Sequence, residues 1–247
     1  MEIRILGVKI DNFSLAEVLQ KVKSFLISKN QHYIVTTNPE FIMASRHDDE
    51  FRNILNKADL SVADGIGIKF AAKHLGNKLK ERISGVDLIW EICRIAEQEK
   101  KSVFLLGSKR GVPETAAVKI IQKFPDLKLA GVECGYRRWH RHMKDDKLVE
   151  IINRRKPDVL FVAFGQVKQE KWIYHNLPKM PSIKLAMGVG GSFDYISGKT
   201  RRAPKWMRNM GLEWFFRLIY QPWRLPRIIT AVLKFSLAVR KSKKHEI

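Results

Sequence analysis

Asp64 stands between a short apolar edge, residues 60–63, and the two glycines Gly65 and Gly67. A carboxylate at the end of a strand, with glycines clearing the space before it, can serve as a general base or a ribose ligand. The plainer alternative is that Asp64 caps the helix that follows. A second group lies at Gly188, Gly190 and Gly191, which end the apolar run 183–187 and lead through Asp194 and Ser197 to Lys199, Arg201 and Arg202. Backbone of that kind can come close to a ligand that a Cβ would block. A third is the loop Gly107-Ser108-Lys109-Arg110-Gly111, between a strand and a helix begun near Pro113, which has the outline of an anion cradle. Thr36, Thr37 and Asn38 follow a further apolar run; Asn38 before Pro39 reads equally as a helix cap and as a ligand. Gln169 and Glu170 open a helix after another strand, where they are expected simply to solvate its first turn.

Several chemistries lack their residues. The Gly107 loop has no GKS or GKT ending, and Asp64-Gly65-Ile66-Gly67 is not a dinucleotide fingerprint. There is no Asp-x-Asp pair, no HExxH and no CxxC, and His140 and His142 stand apart from other ligand types, so no metal site is expected. A nucleophile elbow is also missing.

The elements that must position these groups alternate along the chain. Residues 3–10 read as a strand or hairpin, and residues 14–27 carry the apolar stripe of an amphipathic helix. Strands are expected at 33–35, 60–63, 102–106, 128–132, 159–164 and 183–187, with helices at 68–75, 88–98 and 145–154 among those between them. Ser84 to Asp87 resembles a capping box with Asp in place of Glu. Continuous apolar strands alternating with helices predict a parallel sheet covered on both faces. Thr36, Asp64, the Gly107 loop, Gln169 and the 188–191 turn then converge on one sheet edge, where open α/β sheets take ligands.

The chain of 247 residues carries 46 Lys and Arg against 25 Asp and Glu, a net charge of +21, which implies an anionic partner. From Lys199 onward thirteen cations face only Glu213 and Glu246, a net +11 in 49 residues that also hold Trp206, Trp214 and Trp223. Residues 205–220 and 227–240 read as short apolar helices flanked by cations, ending in Lys241, Lys243 and Lys244. Such helices suit an interfacial seat on an anionic membrane; packing on the core is the plainer reading. No stretch is long and apolar enough to span a bilayer, and MEIRILGVKIDNF is expected to carry no secretion signal. Two cysteines, Cys93 and Cys134, fit a reducing cytoplasm. A boundary is expected near Gly198, between an α/β domain at 1–198 and a basic appendage at 199–247.

The segments TTNPE (36–40), ADGIG (63–67), ERISGVDL (81–88), LLGS (105–108), KQEKW (168–172), GVGGSFDYISGKTRRAP (188–204) and GLEWFFRLIYQPWRLPR (211–227) resemble the WecG/TagA/CpsF glycosyltransferases over nearly the whole chain. That resemblance implies a Rossmann-like α/β fold with a C-terminal membrane-binding appendage. It implies an inverting, metal-independent transfer, without a cofactor, from a UDP-sugar to a polyprenyl-diphosphate-linked acceptor at the cytoplasmic membrane face. The sugar implied is N-acetylmannosamine or its uronic acid, with glucose or another sugar as alternatives, and the setting is cell-wall or surface polysaccharide synthesis. By position, Asp64 is the base. Arg82 joins Thr36, Asn38 and Gln169 at the active site, where Arg82 is expected to be catalytic with Asp64, and Arg217, Arg224 and Arg227 lie in the appendage as expected substrate ligands; the loop reading adds Gly107, Gly188, Gly190 and Gly191 to the substrate-binding set. Val167 stands where many relatives have Pro, and Gln221 where many have Glu, which bears on the donor.

Two other classes compete. A nucleic-acid-binding protein would use the +21 charge, but the tail aromatics are clustered rather than interleaved with cations, and no nucleic-acid partner is expected. A non-catalytic membrane adaptor needs neither Asp64 nor the glycine-lined edge. A homo-oligomer is compatible with each reading.

Overall fold

Apolar runs of four to six residues supply the strands of a computed structural model that describes residues 2–134, 136–137, 141–142 and 145–243. Glu2–Ile5 (β1) and Val8–Asp11 (β2) pair as an antiparallel hairpin, turned by Leu6 and Gly7 with positive φ. The next strands are His32–Thr37 (β3), Leu60–Ala63 (β4), Ser102–Gly107 (β5) and Lys128–Glu133 (β6). Tyr136–Arg137 (β7) and Arg141–His142 (β8) form a small ladder, followed by Val159–Ala163 (β9) and Leu185–Gly188 (β10). Six of them build one sheet in the order β4-β3-β10-β9-β5-β6, every pair parallel.

Helices fill the connections: Leu15–Ile27 (α1), Pro39–Ser45 (α2), Asp49–Lys57 (α3), Ile66–His74 (α4), Gly85–Gln98 (α5), Val112–Lys123 (α6), Asp145–Arg155 (α7), Lys168–Asn176 (α8) and Ser192–Ile196 (α9). They cover both faces, as the alternation predicts. Val35, Phe104, Leu160 and Ala186 point to one face, where they pack with the hairpin and with α2, α3, α4, α7 and α8. Ile34, Leu105, Phe161 and Met187 point to the other, against α1, α5, α6 and α9. Period-two alternation with both faces apolar is what a sheet buried on each side requires.

Three local expectations change. Ser84 precedes α5, but its hydroxyl accepts from Arg202 Nη2 at 3.1 Å instead of bonding the helix. Asp87 is gripped at both oxygens by the Arg202 guanidinium, at 2.6 and 2.7 Å, so the capping box never closes. The two tail helices are four: Lys205–Asn209 (α10), Glu213–Tyr220 (α11), Leu225–Ile229 (α12) and Phe235–Lys243 (α13). Gly211, at φ +75°, breaks the first pair, and Pro222 opens a short 3-10 turn before α12. A π-helical stretch, Thr230–Lys234, joins α12 to α13. Finally, α13 takes the plainer of the two readings and packs on the core instead of lying free for a membrane. Phe235, Ala238 and Val239 are buried in the first-face core with α2 and α4, while Leu233 and Leu237 face out. His140 and Lys244 lie outside the described residues.

Candidate active site

The chain leaves β3 into α2 on one face of the sheet and leaves the neighbouring β10 into α9 on the other. Helices departing to opposite faces open a crevice at the carboxyl ends of those two strands, the general ligand site of doubly wound sheets. Thr36 is buried at the end of β3, with its methyl and hydroxyl facing Gly85 at the start of α5. Asn38 caps α2: its Oδ1 accepts from the Phe41 N–H at 2.9 Å.

Asp64 follows β4, its own N–H bound to the Thr37 carbonyl at 2.8 Å. Its Oδ2 is 3.4 Å from the Gly85 N–H that donates to it. Burial, then the charge of Glu213, push the Asp64 carboxyl up to about 6, while the Gly85 N–H, Arg217 and Arg82 pull the other way. A carboxyl held near 6 is mostly ionised at neutral pH and still basic enough to take a proton. Arg82 is anchored by a 2.8 Å bond from Nη2 to the Arg208 carbonyl, the first residue of the tail to touch this group.

Further tail residues approach the crevice. Arg217 donates from Nε to the Tyr195 hydroxyl on α9, its guanidinium carbon 4.9 Å from the centre of that ring. Arg227 donates to Glu40 Oε2 at 2.7 Å and to Gln166 Oε1 at 2.8 Å. Arg224 lies between them electrostatically. Burial and the charges of Arg217 and Arg227 lower its pKa, against Tyr195 and Glu40. Its buried Nε has no hydrogen-bond partner among the described residues. Three guanidiniums crowded in this way form a site that an anion would relieve.

The 188–191 turn is built differently. Gly188 ends β10 against the side chains of α8: a Cβ there would come within 2.4 Å of Glu170 Oε1 and 2.7 Å of Gln169 Nε2. Gly190, at φ +51°, donates its N–H to Gln169 Oε1 at 2.9 Å. Gly191 borders the Asp194 carboxylate. Gln169 and Glu170 are each only 2% exposed, so the expectation that they merely solvate a helix end is overturned. The reason is the inward tilt of this first turn onto β10, made possible by the missing side chain at Gly188. Gly107, at φ +102°, lies against Ala163 at the end of β9, and the Ser108 N–H donates to the Ala163 carbonyl at 2.9 Å.

The structure thus gathers Arg82, Arg217 and, through Gly85, Thr36 about the Asp64 carboxylate, and sets the charges of Arg217 and Arg227 against Arg224. Gln169 groups with Gly188 and Gly190, and Gly107 stands on a neighbouring strand end. Among the described residues, no three His, Cys, Asp or Glu side chains gather as metal ligands. Sequence reasoning missed Glu213, Tyr195, Glu40 and Gln166. Only Glu213 left a signal, its i,i+4 spacing to Arg217 on one helix.

A parallel sheet with an ionisable carboxylate and crowded arginines at its switch point defines an enzyme-like α/β protein. The chain belongs to the glycosyl transferase WecG/TagA/CpsF family, whose model matches residues 3–246. Among its relatives is a Bacillus subtilis (strain 168) protein, 37% identical over 241 residues, covering 93% of this chain and 90% of the relative. That relative is named N-acetylglucosaminyldiphosphoundecaprenol N-acetyl-beta-D-mannosaminyltransferase. A protein of the same name from Staphylococcus aureus (strain MRSA252) is 34% identical over 253 residues, covering 98% of this chain and 95% of the relative.

Proposed function

We propose that this chain is an inverting glycosyltransferase that moves N-acetylmannosamine from a UDP-sugar to an N-acetylglucosamine linked through a diphosphate to a polyprenyl lipid. The relatives' names support the sugar and the acceptor. The observation that carries the chemistry is Asp64, raised to about 6 beside Arg82 and Arg217 at the crevice. In this reading the acceptor hydroxyl attacks the anomeric carbon and gives its proton to Asp64. The bond from that carbon to the UDP oxygen breaks, and UDP leaves with the electron pair. Arg217, Arg224 and Arg227 meet the diphosphate charge, so the transfer needs no divalent metal. Thr36, Asn38, Gln169, Gly107 and the 188–191 turn shape the surrounding pocket.

Residues 199–247 act as a basic appendage that completes the site of the 1–198 body and seats it on the cytoplasmic face of the membrane. Trp206, Met210, Ile219, Trp223, Leu233 and Leu237 are each more than half exposed, which favours an interfacial position. Among the described residues no helix is long and apolar enough to cross a membrane. In this reading, which the names of the relatives support, the protein acts in cell-wall or surface-polymer synthesis. The deciding experiment offers several UDP-sugars to a synthetic lipid-diphosphate-N-acetylglucosamine, with and without EDTA. Transfer of N-acetylmannosamine in EDTA is expected. No transfer from any UDP-sugar would end the reading, and loss in EDTA reversed by Mg²⁺ would end its arginine-only charge stabilisation.

A further inference from the structure

Glu170 is a buried carboxyl that the proposed chemistry leaves without a task. It occupies the first turn of α8, and both of its oxygens are engaged. Oε1 accepts from Gln169 Nε2 at 2.7 Å and Oε2 from the Val167 N–H at 2.8 Å. The second bond pins Val167 at φ +69° and ψ −54°, the strained γ-turn conformation that a β-branched residue strongly resists. The first fixes the direction of the Gln169 amide. With its NH₂ turned to Glu170, Gln169 presents Oε1 to the Gly190 N–H at 2.9 Å. Gly188 leaves the space in which this relay fits, since a Cβ would overlap both side chains.

We propose that Glu170, in its ionised form, is a positioning residue: through Gln169 it holds the 188–191 turn in the geometry that sugar transfer requires. The proposal rests on the glycosyltransferase reading for the last clause only. The chain Glu170–Gln169–Gly190 stands on geometry alone.

The relay depends on charge. An ionised carboxylate only accepts, and here it faces only donors: the Gln169 amide, the Val167 N–H and its own backbone N–H. Protonation makes one oxygen a donor. Satisfying that proton draws the Gln169 amide round to offer Oε1 to Glu170, and the Gly190 N–H is then left facing an NH₂ group. Burial pushes the Glu170 carboxyl up to about 7, opposed by the bonds from Gln169, its own backbone N–H and Val167, so the switch falls near neutrality. On the same turn Lys168 is exposed to solvent. The other charged neighbours are engaged elsewhere: Asp145 of α7 accepts from the Trp172 indole at 2.9 Å, and Arg227 binds Glu40 and Gln166. On α3, Asp48 and Glu50 pair with Lys171 and His175, Asp49 pairs with Arg52, and Lys57 donates to the Tyr174 hydroxyl. Lys179, just beyond α8, binds Asn176. The adjoining strands β9 and β10, VLFVA and LAMG, bring only apolar side chains and glycine.

The test follows the Gly190 amide of the ¹⁵N-labelled full chain by NMR between about pH 5.5 and 8.5, in an Asp64→Asn background that removes the neighbouring titration. The Gly190 resonance should shift with a midpoint near neutrality, and Glu170→Gln should abolish that shift. A Gly190 amide that does not move with pH, or moves alike in Glu170→Gln, overturns the proposal without reliance on any variant's activity. In otherwise wild-type protein, Glu170→Gln should lower kcat/KM on the order of tenfold. It should also remove the limb near pH 7 from the pH profile while leaving the lower limb of Asp64. Gly188→Ala, which drives a Cβ onto Glu170, should reproduce the loss. Unchanged kcat/KM and pH profile in a folded Glu170→Gln would overturn the catalytic clause. A titrating Gly190 amide in a protein that transfers no sugar would support the relay and sink the glycosyltransferase reading instead.

Discussion

Glu213, carried by α11 of the tail, sets its charge against Asp64 at the end of β4 and ranks next to burial in holding that carboxyl up at about 6. The same helix brings Arg217, which acts on Asp64 in the opposite sense. One turn of tail helix therefore tunes the proposed base from both directions.

Asp64→Asn should reduce turnover about 10²-fold or more while the fold persists. It should also change stability with a defined sign. The native carboxyl titrates near 6 and the unfolded one near 3.8, so the folded state holds the proton more tightly. Ionising Asp64 then costs native stability, a cost absent below about pH 4 and complete above about pH 6. The variant should melt higher than wild type above pH 6 and converge with it toward pH 4. Calorimetric scans across that range check the sign, and a variant that melts lower at pH 8 would refute the burial argument.

Glu213→Gln removes the like charge and leaves the two arginines. The Asp64 carboxyl should fall, and the acidic limb of the kcat/KM profile should move to lower pH. A limb that stays put would mean the tail does not act on Asp64 in solution.

Changing Arg224 or Arg227 to Glu should cut transfer at least tenfold even to a short-chain, water-soluble acceptor, because the diphosphate loses a bidentate partner. Neutralising Lys241, Lys243 and Lys244 should weaken binding to anionic vesicles, each cation contributing roughly 1 kcal/mol near the surface, and leave transfer to that acceptor unchanged. Sedimentation with liposomes and a soluble assay separate the two. Equal loss in both assays for either set would merge functions that are distinct in this reading.

Phe235 is 1% exposed beside α2 and α4. Phe235→Ala should destabilise the protein by about 3–5 kcal/mol, as for other large buried aromatics, and hasten proteolysis within the tail. Denaturant titration measures the first and timed trypsin digestion the second. A loss below about 1 kcal/mol would mean that α13 does not help hold the body together.

Much of this arrangement was legible from local rules. The parallel sheet followed from apolar runs alternating with amphipathic stretches, and the Asn38 cap from its place before Pro39. Asp64 was legible because the glycines beside it mark a strand end. Gln169 and Glu170 were not, since polar residues in a first helical turn ordinarily face water. Only a tertiary contact, α8 seated over Gly188, reverses that. Ser84 and Asp87 met the pattern of a local cap, and a distant arginine outbid the helix for both. The tail arginines were legible as candidates for the substrate diphosphate, but Asp87, Tyr195 and Glu40, which hold Arg202, Arg217 and Arg227, are partners that no spacing rule could supply.

The order of the strands also bears on how the protein is made. β10, in the middle of the sheet between β3 and β9, is the last of the described strands to leave the ribosome. Until residue 188 has emerged, the nascent chain can hold only two half-sheets, β4-β3 and β9-β5-β6, whose inner edges have no partner. Those edges are apolar on both faces and unpaired along their backbones, the condition that favours misassociation between chains. Closure must then bring together strands far apart in sequence, which slows folding. The crevice lies on the β3–β10 seam, so its two walls are not joined until β10 has been made and inserted.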